Sequence, residues 1–423
     1  MQTSLRLLQK RRFGPLFITQ FLNAFNDNVF KAAMVILVIY TIYSDPAQEA
    51  SFSALAGGLF ILPFFLFSAL AGQLADSRDK ARMIRIVKSA EILIMIVGAA
   101  GLLLHNIPLM LIALFFMGVH STFFGPIKYA ILPQHLESHD VLGGTGLVEA
   151  GTYIAILAGT IVGGIIPSQW AAIAVILIAI VGRIAGGFVP AAPPEADAPQ
   201  FKLDFHWLRS SIAVVSATMH IRRLYLAIIA ISFFWSIGAI LAAQFPPLVK
   251  NVLGADQKVA TLFMAVFSVG VAIGSIAVNR LLRGKVSARY SPISVIVMGL
   301  FVLDLWWTVN HWPANPPELR GLGAFIAMGI ADRVIVDLLG IAIAGGMFVV
   351  PLYAFLTTTV AKSETARTVA ANNIVNSGGM VFAAILLNVM IKLNVSIADT
   401  LLAVALACIV AAWIAQKLHR ACD

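Results

Sequence analysis

Charged side chains are scarce in this chain: Asp, Glu, Lys and Arg make up 12% of its 423 residues, against about 25% in a soluble domain. Cysteine is scarcer still. Cys408 lies in the last apolar run and Cys422 in the tail, so neither a disulfide framework nor a cysteine metal site is expected. No HExxH, no phosphate-binding glycine loop and no nucleophile elbow occurs, which leaves no footing for an enzyme or a cofactor. Strand-length alternation of apolar and polar residues is also missing, and with it the case for a β-barrel. What the chain has in quantity is apolar length. Hydrophobic residues make up 60% of it, mean hydropathy is +0.92, and helix-length apolar runs recur from end to end. Each is long enough to cross roughly 30 Å of hydrocarbon. The reading is an all-α polytopic membrane protein.

Twelve spans are expected near residues 14–43, 52–75, 84–104, 108–131, 142–166, 169–189, 222–249, 258–280, 291–310, 338–360, 369–391 and 398–416. Residues 320–336, "RGLGAFIAMGIADRVIV", are shorter and carry Arg320, Asp332 and Arg333; they read as an interfacial helix, with a distorted further span as the alternative. Lys and Arg fall mainly on one side: Arg6 to Arg12, Arg78 to Lys88, Lys202 to Arg223, Arg280 to Arg289, Lys362, Arg367, Lys417 and Arg420. Lys250, Lys258, Arg320, Arg333 and Lys392 fall on the other. The basic side is expected to be cytoplasmic, with both termini there. The net charge of +9 then reflects topology and anionic head groups, and nucleic acid need not be invoked. The first apolar run follows basic residues as in a signal peptide, but it is too long, carries charges and lacks a small-residue cleavage site, so it is expected to remain as the first span.

Residues 190–221 break the apolar pattern with "PAAPPEADAPQFKLDF", which reads as a cytoplasmic linker between a first half (1–189) and a second (222–423). A faint repeat supports this division. "FFGPIKYAIL" (123–132) resembles "FVVPLYAFL" (348–356), with Pro126 against Pro351, and "GLVEAG" (146–151) resembles "NIVNSG" (373–378), with Glu149 against Asn376. Two parallel six-span repeats are the plan of major facilitator transporters. "GQLADSRDKAR" (72–82) resembles that superfamily's G-x-x-x-D-R-x-G-R-R loop through Gly72, Asp76, Lys80 and Arg82, and departs from it at Ser77 and Asp79. The glycine would permit close helix approach, and the acid would latch the bundle.

Polar residues within the spans need a reason, because a charge at mid-bilayer costs at least ~2.5–3.5 kcal/mol. Asp27 and Lys31 are one helical turn apart and can neutralise each other. Asn23, Asn26 and Asn28 crowd the same turns, and Asn23 shares a face with Asp27, which favours an inward polar patch. Lys128, beside Tyr129, follows Gly125-Pro126; snorkelling to the surface competes with pairing to Glu149. Glu91 lies in the third span, and His120 reads first as a satisfied core histidine. The second half offers Trp235 and Gln244 on its first span, and Asn372, Asn373 and Asn376 on its fifth; helix-to-helix amide bonding competes evenly there with a cavity-lining role. A cavity charged on one side and neutral on the other is expected.

"TQFLNAFNDN", "GPIKYAIL", "GLVEAG", "SFFW", "GGMFVVPLYAFL" and "NNIVNSGG" together resemble the bacterial lysophospholipid transporter family of the major facilitator superfamily, from about residue 13 to 380 and beyond. The resemblance implies a flippase of the inner membrane, moving lyso-phosphatidylethanolamine-type lipids from outer to inner leaflet for re-acylation. "FNDNVFK" and "AAQFPPLV" look closest to relatives fused to acyltransferase and acyl-activating domains. This chain ends at Asp423 without them, so a separate acylating partner is implied. Asp27 and Lys128 match the family's polar cavity residues. Where standalone members carry an arginine, near Ala242, the nearest polar residue here is Gln244. The rival reading is a proton-coupled exporter of amphiphilic drugs or small metabolites, with Asp27 or Glu149 as the protonation site.

Overall fold

The computed structural model describes residues 6–194, 206–282, 287–358 and 362–422. Thirteen helices of more than ten residues carry the fold: α1 Gly14–Leu37, α2 Pro46–Ser77, α3 Lys80–Leu103, α4 Ile107–Ala130, α5 Ser138–Ile165, α6 Ser168–Gly187, α7 Trp207–Met219, α8 Arg222–Asn251, α9 Gln257–Leu281, α10 Ser291–Asn310, α11 Gly329–Thr358, α12 Lys362–Lys392 and α13 Thr400–Cys422. Among the described residues, 11 helices are long and apolar enough to cross a membrane. The fifth expected span falls on α5, a 28-residue helix whose Ala150–Ile165 stretch is apolar. The short helix α7 lies within the expected linker.

Helix starts follow local chemistry. Asp79 caps α3 by accepting from the Arg82 amide at 2.7 Å, Asn106 caps α4 through the Leu109 amide at 3.0 Å, and Asp256 caps α9. Pro15, Pro108 and Pro292 stand in first turns, where a missing N–H costs nothing. Pro126 and Pro351, the pair singled out by the repeat, both sit inside helices, α4 and α11.

The stretch 320–336 is not one separate helix. Leu322–Ile326 forms a single turn, and from Gly329 the chain is already in the 30-residue α11. Asp332 and Arg333 therefore open a span, and Arg333 is neutralised there by Asp304 of α10.

Backbone contacts divide the chain into two compact units, Met1–Val38 with Leu62–Ser210, and Ile39–Ile61 with Ser211–Asp423. In the first, α1 runs along α5 because Gly159 and Gly163 carry no side chain; a Cβ at either would strike the carbonyls of Phe25 and Val29. Phe13, Leu16, Ile84, Phe124 and Ile127 close one end of that unit. In the second unit, α9 approaches α11 in the same manner at Gly274. The outer faces stay apolar, with Leu93, Leu104, Phe382 and Ile409 well exposed, as a lipid-facing surface requires.

Candidate functional site

The polar residues of α1 converge on one buried network in the first unit. Asn23, Asn26 and Asp27 are all buried. The Ser121 hydroxyl of α4 donates to Asp27, and the Asn23 amide lies 3.4 Å from the Asp27 carboxylate and 3.5 Å from Ser121. Asn26 donates to Glu91 Oε1 of α3 at 2.9 Å. Lys88, one turn before Glu91, forms an ion pair with it and lies 3.4 Å from Asn23 Oδ1. His120 Nε2 stands 3.5 Å from Glu91 Oε2. Asn28 instead turns back to the Ala24 carbonyl at 2.8 Å. Lys31 acts electrostatically on Asp27, so two carboxylates are balanced by two ammonium groups. Amides and a hydroxyl join the charges into one lattice, which is how buried ions become tolerable.

Lys88 corrects the sequence reading. It counts there among the loop cations of the basic side, yet it is fully buried inside α3. Gly182 of α6 makes room: a Cβ there would come within 3.0 Å of the Lys88 Cε. The Lys88–Glu91 spacing of three was the available signal, since residues so placed share a helix face.

Lys128 follows Ser121 by seven positions on α4. That is two turns along the same face, about 10 Å further toward the helix end. Its Nζ lies 3.3 Å from Thr152 Oγ1 of α5 and 4.9 Å from the Tyr129 ring centre. Thr152 in turn donates toward Gln20 Oε1 of α1 at 2.9 Å. The Glu149 and Asp76 side chains lie outside the described residues.

The second unit holds a neutral counterpart. Trp235 Nε1 of α8 donates to the Tyr353 hydroxyl of α11 at 2.7 Å. Asn376 of α12 lies 3.4 Å from that hydroxyl and accepts from Ser232 at 2.7 Å. Trp235 and Asn376 are thus brought together through Tyr353 and Ser232, which sequence reasoning missed. Gln244 and Asn373 do not join them. Gln244 is nine residues beyond Trp235, buried with neither side-chain polar atom hydrogen-bonded, while Asn373 is exposed and meets the Asn372 amide at 3.5 Å.

Around the 72–82 loop, Gly72 faces open space where its Cβ would lie, so it serves no close approach here. Lys80 is buried and Arg82 is exposed. Asp79, a departure from the superfamily pattern, holds the α3 start and also accepts from the Ala192 amide at 3.1 Å. A clasp absent from the sequence reading lies in the second unit. Lys250 donates to Glu49 Oε1 at 2.6 Å, to the Tyr43 carbonyl at 3.2 Å and to the Ile39 carbonyl, while Asn251 donates to Glu49 Oε2 at 2.6 Å. The π-helical turn Val38–Ile42 presents the Ile39 carbonyl that Lys250 takes.

His135, in the turn after α4, is buried with its Nδ1 3.0 Å from the Arg12 carbonyl. Burial holds its imidazole below the ordinary value of 6.5. The folded state therefore prefers the neutral ring, and this contribution, present above about pH 6.5, is lost as pH falls through the lowered value. Thermal unfolding in detergent should show the parent losing stability between about pH 7 and pH 5, and His135→Gln losing less. Equal slopes would remove His135 from the account.

Among the described residues no group of three or more His, Cys, Asp or Glu is placed to hold a metal ion. The chain matches the Major Facilitator Superfamily profile over residues 16–384. It is 26% identical over 400 residues to the lysophospholipid transporter LplT of Photorhabdus laumondii, covering 93% of this chain and 92% of that one. To the lysophospholipid transporter LplT of Escherichia coli strain K12 it is 24% identical over 424 residues, covering 97% and 98%. In fold it is similar to a D-xylose-proton symporter, with TM-score 0.70, 12% identity and 96% and 97% of the two chains covered. A POT family transporter in complex with a thioalcohol-conjugated peptide gives TM-score 0.72, 12% identity and coverage of 97% and 96%. With its profile match and its apolar helices, this multi-pass membrane protein belongs to the major facilitator superfamily.

Proposed function

We propose that this chain is a lysophospholipid flippase of a bacterial inner membrane, with both termini cytoplasmic, bringing single-chain phospholipids from outer to inner leaflet for re-acylation. The observation that carries the reading is the buried carboxylate of Asp27 held by Ser121 of α4, with Lys128 on the same α4 face as Ser121, about 10 Å further along that helix. An amine-headed lysophospholipid is a zwitterion of matching kind. Relatives named as lysophospholipid transporters over nearly the whole chain support the same substrate class.

Tail energetics set the mechanism. Wetting a methylene costs ~0.8 kcal/mol, so drawing a sixteen-carbon tail through water would cost on the order of 12 kcal/mol. A carrier that keeps the tail in lipid avoids most of this and shelters only the head. Asp27 holds the ammonium, Lys128 draws the phosphate, and Asn23, Asn26, Tyr129 and Glu149 complete the charged side. In the second unit Trp235 and Asn376 offer neutral hydrogen-bonding groups, and Asn373 and Gln244 are further amides apart from them. Alternating access then turns on a latch at the loop through Asp76, Lys80 and Arg82.

Liposomes containing the purified protein test this. Lyso-phosphatidylethanolamine is expected to cross with no imposed proton gradient, and a cationic dye is not. Gradient-dependent dye movement with no lysolipid movement would favour the proton-coupled exporter.

A further inference from the structure

A cleft in the first unit plays no part in the transport reading. It lies between the end of α2, α3 and α4, together with Pro194 of the linker, and encloses about 770 Å³, a volume that ligand sites commonly reach. Met83, Ile86, Val87 and Ile94 of α3 and Phe116 and Phe123 of α4 make its walls apolar. Ile86 is 60% and Phe116 50% exposed, so the cleft opens sideways onto the lipid-facing surface. His120, the polar residue of that wall, has its Nε2 3.5 Å from Glu91.

The loop end of the cleft is different. Ser77, Arg78, Asp79 and Arg82 gather there. The Ser77 hydroxyl is buried with no hydrogen-bond partner, while Arg78 and Arg82 are exposed. Asp79 is the one carboxylate among the described lining residues, and both its oxygens already accept from backbone amides, of Arg82 at 2.7 Å and of Ala192 at 3.1 Å. Over residues 76–82 the cations Arg78, Lys80 and Arg82 outnumber the acids Asp76 and Asp79. A phosphate would give the Ser77 hydroxyl its acceptor, and guanidinium groups are shaped to grip one. An ammonium would meet two like charges and a carboxylate already engaged. From Met83 to Ile94 α3 rises about 16 Å, close to the depth of one leaflet, half of roughly 30 Å.

We propose that this cleft binds an anionic phospholipid from the leaflet on the side of the α2–α3 loop. One acyl chain lies along α3 against Met83, Ile86, Val87 and Ile94. The phosphate takes the Ser77 hydroxyl and the guanidinium groups of Arg78 and Arg82. Basic pockets between membrane helices are a recurrent seat for anionic head groups. This does not rest on lysophospholipid transport.

The test is native mass spectrometry of the full chain released from nanodiscs of equal parts phosphatidylglycerol, phosphatidylethanolamine and phosphatidylcholine. The parent should retain phosphatidylglycerol about tenfold over either other lipid, the discrimination of one charged hydrogen bond. Arg78→Gln with Arg82→Gln should lose that preference. Arg222→Gln with Arg223→Gln, an equal loss of exposed charge at the start of α8, should keep it. Ala90→Phe, at an exposed position lining the cleft, fills the chain's seat without touching charge and should lower phosphatidylglycerol retention as well. Equal retention of the three lipids by the parent, a preference kept by the Arg78 and Arg82 pair, or one lost equally by both arginine pairs would overturn the proposal. So would a dimer carrying no phosphatidylglycerol, or retention that appears only with Glu195→Gln and Asp197→Asn in the linker.

Discussion

Glu91→Ala is expected to destabilise the first unit by about 3–5 kcal/mol, the cost of leaving one member of a buried ion pair uncompensated. Lys88 is 0% exposed, so its ammonium has no route to water once Glu91 is gone. Asn26 would lose the acceptor it meets at 2.9 Å, and His120 its neighbour at 3.5 Å. A domain's whole stability is about 5–15 kcal/mol, so the variant should accumulate poorly and unfold far below the parent. The pair Lys88→Met with Glu91→Leu removes both charges together and should recover most of the loss, because a buried ion pair is often no better than apolar side chains of similar volume. Thermal unfolding in detergent reads both variants. A single variant as stable as the parent would mean that the Lys88–Glu91 pair is not sealed from water.

The sequence reading foresees much of this molecule because its signals are long-range in the chain and simple in kind. Helix-length apolar runs locate the membrane helices. Asn23 with Asp27 was readable as a patch because four residues bring two side chains onto one helix face. What stayed hidden required knowing which helices meet. Lys88 reads as a loop cation until α6 lies against it at Gly182. Tyr353 joins Trp235 to Asn376 only when α8, α11 and α12 meet. Gln244 shares a helix with Trp235, but nine positions along it leave it apart from the Trp235–Asn376 network. The Glu49–Lys250 clasp joins residues 201 positions apart in sequence, and no local pattern announces such a contact. Gly72 shows the reverse error: a motif glycine was read as a close approach, where the fold leaves space.

The second large effect concerns transport. Asp27→Asn keeps the size of the side chain and a neutral acceptor for Ser121 and Asn23 but unbalances Lys31, so rates are compared per folded protein. What it removes is the negative charge proposed to hold a substrate ammonium. Hydrogen bonds to charged groups are worth about 1.5–3 kcal/mol, which is about 10- to 100-fold in rate if the contact is made during crossing. Lys128→Ala takes away the proposed phosphate partner and should act by a similar factor, since Thr152 keeps the bond it already makes to Gln20. The measurement is the initial rate at which lyso-phosphatidylethanolamine becomes protected from albumin extraction in liposomes holding the parent, Asp27→Asn or Lys128→Ala at equal protein density. Both variants are expected to run at about a tenth of the parent rate or less. Parent-like rates in both would contradict the claim that this polar face of the first unit shelters the lipid head.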